Sequence, residues 1–593
     1  NVTAGTLTLG SASRLADTAT VTVSGTGILS LGTFTDTVAT FNMSAGSLNG
    51  TGTLTATTYG LSGGTVTANL GTGTLNNSGT VALNGTAAAT AVNVMAGTLT
   101  LGSANRLADT ATVTVSGGAL ALGTFSDTVG SVTLTSGSIT GTTGVLTGSS
   151  YAVQGGTLSA ILGGSGALTK TTAGTVTLSG TNTYTGTTTV SNGVLNIQNA
   201  SALGTVAGGT SVTSGAALQI QGGITTLAEA LTLNGTGVTS TGALRNISGV
   251  NTYAGLVALG SATRINSDSG TLTLSHTGTI AGATFGLTVG GAGNTTINSI
   301  IGNTTGGVTK DGNGTLILAG VNTYSGTTTV SAGLLSISGS INSSLTLAVN
   351  NGTLHTTAAD KLANTAAITV AGGTLNVGGA ETVGSLTMSS GAVGGTQTLT
   401  ATTYNLSGGT VAGNLGAGTL NSSGTVALNG TAGVTAVNVT AGTLTLGSAS
   451  RLADTATVTV SSTGILNLGT FTDTVSVFNM SAGSLNGSGT LTATTYGLSG
   501  GTVTGNLGTG TLNSSGALGL NGTSAATAVN VTAGTLTLGS ANRLADTATV
   551  TVSSTGILNL GTFTDTVSVF NMSAGSLNGT GTLTATTYGL SGG

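Results

Sequence analysis

The chain has 593 residues, including 105 Gly and no Pro, Cys or Trp, with 4% charged residues and a formal net charge of −4. Ordinary globular domains carry about a quarter charged residues, so Thr, Ser, Asn and Gly must cover this surface, and so few Lys and Arg exclude nucleic acid as a partner. No apolar run approaches the roughly 18 residues of a membrane span, no signal-peptide pattern opens the chain, and without Cys there are neither disulfides nor thiolate metal sites.

From the start the chain reads as short strands. GTLTLG (5–10), GILSLG (27–32), GSLNG (46–50), GTVTAN (64–69) and GTVALN (79–84) each follow a small-residue corner. Within them apolar residues alternate, as in Leu7/Leu9, Leu29/Leu31, Val66/Ala68 and Val81/Leu83. Period two in short runs bounded by Gly and Asn is the strand signal. A second strand precedes most corners, at Val21/Val23, Phe41/Met43, Tyr59/Leu61 and Val92/Val94. Asn49-Gly50 and Asn84-Gly85 suit turns that need positive φ. A hydrophobic fraction of 38% at low charge is the reverse of a disordered composition.

The whole set then repeats. Asn438 to Gly501 returns at Asn530 to Gly593, 92 residues later, with only two changes, Ser450 to Asn542 and Ser488 to Thr580. The same opening stands at Asn1 and Asn93, and a worn relative begins near Asn350. Copying on this scale decides the architecture first. Five turns in 92 residues average about 18 each, which predicts an all-β, right-handed parallel β-solenoid. The hexapeptide pattern of left-handed solenoids is absent, and a barrel or sandwich does not account for the copying. At about 4.8 Å per coil, roughly 32 coils make a rod on the order of 150 Å long. Three regions follow: 1–150 and 346–593 built of 92-residue units, and 151–345 of a different pattern. Open ends of such a stack expose strand edges that invite pairing.

The middle region carries GGVTKDGNGTLILAGVNTYSGTTTVSAGLLSI at Gly306 to Ile337 and an earlier copy at Gly166 to Ile197. These resemble the β-strand repeat of autotransporter passenger domains of Gram-negative bacteria. The resemblance rests on Lys310, Gly312, Gly314, Thr315, Leu316, Leu318, Gly320, Asn322, Thr323, Tyr324, Gly326, Thr327 and Val330. The earlier copy keeps Lys170, Gly174, Leu178, Gly180, Asn182, Tyr184, Gly186 and Val190, with Thr172 where the pattern has Gly. A third trace, Asn251-Thr252-Tyr253-Ala254-Gly255, lacks the lysine half. The resemblance implies a passenger displayed on or released from the outer-membrane surface, usually a stalk or adhesin, with no catalytic residues in the motif. That family's signal peptide and anchoring barrel are not recognisable in these residues. Gly593 falls at position 64 of its unit, so the sequence reads as a piece of a longer chain.

Charges recur with the unit. Arg14, Asp17 and Asp36 return as Arg106, Asp109 and Asp127, as Arg451, Asp454 and Asp473, and as Arg543, Asp546 and Asp565. The two acids stand one coil apart, so their carboxylates are expected within about 5 Å. Either they hold a hard cation such as Ca²⁺, or Arg neutralises them in an ion-pair clasp. The worn copy favours the clasp, since Lys361 and Glu381 keep the charges while Asn364 replaces the middle acid.

Enzyme chemistry finds little support. The remaining acids, Glu229, Asp268, Asp311 and Asp360, are scattered, Asp311 reading as a solvated loop residue, and His276 and His355 are more than four coils apart. Glycoside and metal chemistry both need clustered groups. Outward Thr ranks that bind ice are broken in three coils of five. The eight Tyr, with Phe34 and Phe41 and their copies, read as core or stacked ladders rather than an exposed sugar platform. The expectation is therefore a non-catalytic extracellular stalk or filament segment, with a self-assembling fibre or sheath, a glycan-binding adhesin and a polysaccharide-processing enzyme as successive alternatives. Expected partners are neighbouring solenoid segments or copies of itself, and cell-surface or matrix components. No catalytic, cofactor-binding or metal-ligating residue is assigned, and no cofactor is implied.

Overall fold

A computed structural model describes residues 1–593 as β-strands and turns, with one helical element, the 3-10 turn Val238–Ser240. No helix is long and apolar enough to cross a membrane. The chain is a parallel β-solenoid with coils about 19 residues apart. It forms two compact units, Asn1–Gly306 with Asn313–Gly320, and Gly307–Gly312 with Val321–Gly593.

In the first unit the strands stack in three files. One runs Thr6–Thr8, Ile28–Ser30, Ser47–Asn49. A second pairs Val21 with Phe41 and Phe41 with Tyr59. A third runs Asp36, Leu54, Leu70, Ala87, Leu107. The strand Thr53–Val66 bends through all three, contributing Leu54, Tyr59 and Val66. Because every coil hands its N–H and C=O groups to the coils on either side, the backbone is satisfied without charged side chains.

Side chains inside alternate as the pattern predicts. Val21, Val23, Leu29, Leu31, Tyr59, Leu61, Val92 and Val94 are all buried. Leu7 is 44% exposed although its counterparts Leu99, Leu444 and Leu536 are buried, because its coil stacks on one neighbour only. The average of 18 conceals real variation. Pairing of Thr6 with Ile28 makes a coil of 22 residues, and pairing of Thr65 with Ala82 makes one of 17. The longer coil holds the Arg-Leu-Ala-Asp loop.

The Asn-Gly turns divide. Gly50 has φ +120°, as expected. Gly85 does not adopt positive φ; it is glycine because a Cβ there would lie 2.0 Å from the Ala68 carbonyl oxygen of the coil below.

The second unit repeats the same three files. Val458, Phe478, Tyr496, Leu512, Val529 and Val550 stack in one. In another, Leu399, Leu415, Ala432 and Leu452 are followed by Asp473, Leu491 and Leu507. An acid thus occupies a core position in a file of aliphatic residues.

Candidate functional site

The repeated acid is a backbone clasp. Asp127 accepts the N–H of Arg106 at 2.7 Å and of Leu107 at 3.1 Å. Asp473 does the same for Arg451 at 2.7 Å and Leu452 at 3.2 Å, and Asp565 for Arg543 and Leu544 at 2.7 and 3.2 Å. Asp36 holds Arg14 and Leu15 likewise. The loop leaves the regular ladder here, so these amides need an acceptor, and the carboxylate one coil on supplies it.

The Arg–Asp ion pair expected from the charges does not form. The guanidinium of Arg106 donates instead to the carbonyls of Asn84 (2.7 Å) and Ala104 (3.1 Å), and Arg451 and Arg543 repeat this on Asn429 and Ala449, and on Asn521 and Ala541. Backbone amides win because the acid is buried and they reach it at short range, whereas Arg lies at the surface near free carbonyls. Burial pushes the Asp127, Asp473 and Asp565 carboxyls up, the N–H bonds opposing; the exposed neighbours Asp109, Asp454 and Asp546 add a smaller upward push. In the worn copy Glu381 takes over, accepting Lys361 N–H at 3.0 Å and Leu362 N–H at 3.2 Å. Asp360 is not a stray acid. It fills the positive-φ position (56°) that Ser13, Asn105, Ser450 and Asn542 hold elsewhere.

The passenger-like motif is also built for internal contacts. Lys310 is buried, with Nζ donating to the carbonyls of Asp311 (3.0 Å), Gly312 (2.7 Å) and Ala332 (3.3 Å). Lys170, also buried, caps the carbonyls of Thr172 and Asn192, and burial lowers its pKa. Asn182 accepts Leu162 N–H at 2.9 Å and donates to the Ala202 carbonyl at 2.6 Å, stitching coils on either side. Tyr184 and Tyr324 share hydrogen bonds with Thr188 (2.7 Å) and Thr328 (2.8 Å). Gly186 is required because a Cβ would meet the Gly166 carbonyl oxygen at 2.4 Å. In the third trace Asn251 accepts Ile224 N–H at 2.7 Å and Tyr253 donates to the Glu229 carbonyl at 2.9 Å, without a lysine.

The other Tyr position is equally internal. Tyr59 hydroxyl accepts Ala56 N–H at 2.8 Å and donates to Leu54 O at 2.9 Å; Tyr151, Tyr404 and Tyr496 repeat the arrangement. Tyr588 makes the same bonds but is half exposed. Phe41 is buried, but Phe34 is not core. It and its copies Phe471 and Phe563 are half-buried, and Phe125 is exposed, on the turn before the acid.

The remaining titratable groups stay apart. Glu229 is buried with Oε1 accepting the Thr210 hydroxyl at 2.7 Å, and burial pushes it up to about 7. Asp268 pairs with Arg245 at 2.6 Å. Asp311 is half-buried in its turn rather than a solvated loop residue. His276 accepts Gly278 N–H at 2.8 Å and His355 lies 3.3 Å from the Asn376 carbonyl. No three His, Cys, Asp or Glu side chains come together as a metal group would.

A family model described as the passenger-associated-transport-repeat matches residues 168–197 and 308–337. No curated protein and no solved structure matches the chain.

Proposed function

From a chain with two passenger-associated-transport repeats in a parallel β-solenoid, as in an autotransporter passenger domain, we propose a non-catalytic spacer on the outer surface of a Gram-negative cell. Its work is mechanical: it sets a distance, and the 92-residue unit is the increment. The observation that carries this reading is that each unit inserts a whole number of coils. The contacts of Arg451 and Asp473 recur at Arg543 and Asp565. Copy number therefore changes length without changing register, and the interfaces within the copied units repeat one another.

The polar side chains that stand out in the sequence support the same reading. Lys170, Lys310, Asn182 and Asp473 direct hydrogen bonds to backbone groups of adjoining coils, the two lysines also to carbonyls of their own turns. The test is to excise residues 438–529, which joins Val437 to Asn530 and preserves the local sequence. The shortened chain is expected to fold and reach the surface as before, but to hold a terminal reporter closer to the cell.

A further inference from the structure

We propose that the third face of the solenoid carries a track for an uncharged, hydroxyl-rich polymer, a neutral glycan chain, with one subsite per 92-residue unit. This goes beyond the spacer reading and does not depend on it. Outside the buried file Leu399, Leu415, Ala432, Leu452 runs an outward rank, Thr398, Asn414, Thr431 and Arg451. Beside it lies a groove of about 450 Å³ that ends against the loop bearing Arg451 and Asp454; Gly433 opens it, while at Gly416 the place of a Cβ is taken by the Thr400 side chain.

The groove is preorganised. Asn414 Oδ1 accepts both the N–H and the hydroxyl of Thr431, at 3.2 and 2.8 Å, which fixes its amide. Arg451, which lines the groove, is held through Nε and Nη1 by the Ala449 and Asn429 carbonyls, at 3.1 and 2.8 Å. Rigid donors and acceptors are what binds a polyol at low entropic cost.

Charge selects the ligand class. Each subsite offers one guanidinium and one exposed carboxylate, Asp454, so neither polyanions nor polycations gain from it, while neutral hydroxyls find both donor and acceptor. The polar set recurs as Asn506, Thr523, Arg543 and Asp546, with Asn506 holding Thr523 at 3.0 and 2.8 Å, although Ala525 stands in the place of Gly433. It recurs in the first unit as Asn69, Thr86, Arg106 and Asp109. Within the second unit five coils separate Arg451 from Arg543, about 24 Å along the stack. A long chain lying on both subsites binds by avidity where a short one does not.

The probes are dextran and galactomannan, with polygalacturonate as the anionic control, each cast in native gels through which the full chain migrates. Retardation by a neutral polymer at physiological salt is expected, and weaker or none by polygalacturonate. R106Q/R451Q/R543Q should lower apparent affinity at least tenfold. So should Ala88→Trp with Gly433→Trp and Ala525→Trp, which fill the grooves without touching Arg; at Gly433 a Cβ meets nothing closer than 3.4 Å. Far-UV circular dichroism must be unchanged in both. No retardation by either neutral polymer, retardation only by polygalacturonate, or retardation that survives both variant sets overturns the proposal. The spacer reading stands or falls separately, on length.

Discussion

Asp473 and Arg451 lie 22 residues apart and meet at 2.7 Å, but the acid takes the arginine's backbone N–H while the guanidinium turns away to the Asn429 carbonyl. Opposite charges share a corner without pairing.

This order of partners predicts unequal mutants. Asp473→Ala strands two amides at a buried position and should cost about 2–4 kcal/mol. Arg451→Gln loses only surface bonds to carbonyls and should cost below about 1 kcal/mol. An ion-pair clasp would make the two equal. Hydrogen exchange at the amides of Arg451 and Leu452 reads the difference directly, with protection lost in the first variant and kept in the second.

Acid should tighten the chain around Glu229. Its folded pKa, about 7, stands above the ordinary glutamate value because burial disfavours the charge. A raised acid binds more protons folded than unfolded, so its stabilising contribution is full below the unfolded pKa and is lost as pH rises through about 7. Asp127, Asp473, Asp565 and Glu381 shift the same way. Denaturation midpoints should be higher at pH 5 than at pH 8, and Glu229→Gln should flatten that difference. A midpoint that falls on acidification contradicts the assignment.

The buried lysines should resist replacement. Lys310→Met keeps the stem but abandons three carbonyls, and should cost about 2–4 kcal/mol. Limited proteolysis should then open the turn at 311–314 first. Cleavage that begins elsewhere, with that turn still protected, would mean the ammonium is not what holds it.

Sequence drift between copies carries its own test. Ser450 and Asn542 occupy the same left-handed position, φ 53° and 56°. Asn tolerates that conformation better than Ser, so Ser450→Asn should stabilise, by less than about 1 kcal/mol. The reverse change, Asn542→Ser, should lower the midpoint by a like amount.

Most of the fold was legible because it is written in period two. Val21/Val23 and Leu29/Leu31 locate strands, and the 92-residue copies locate the stack. What escaped depends on groups that a sequence does not spell out. The amides of Arg451 and Leu452 are donors at every residue type, and only the break in the ladder shows that they need Asp473. By charge spacing Asp360 reads as a spare acid, whereas its role is a backbone angle, φ 56°. Phe34 is in phase with buried Asp36 and Val38, which reads it as core, but Gly32 (φ +57°) and the turn it makes leave the ring outside. The groove at Gly433 has no signal in the sequence either, since glycine reads as a corner until the face it opens is seen.

The most direct test of the spacer account is length, measured by electron microscopy and small-angle scattering on the 593-residue chain and on the chain lacking residues 438–529. Five coils are removed, so the account predicts a particle shorter by about 24 Å at unchanged width, with the same circular dichroism per residue. An unchanged length, or a collapse of the remaining coils, would contradict it.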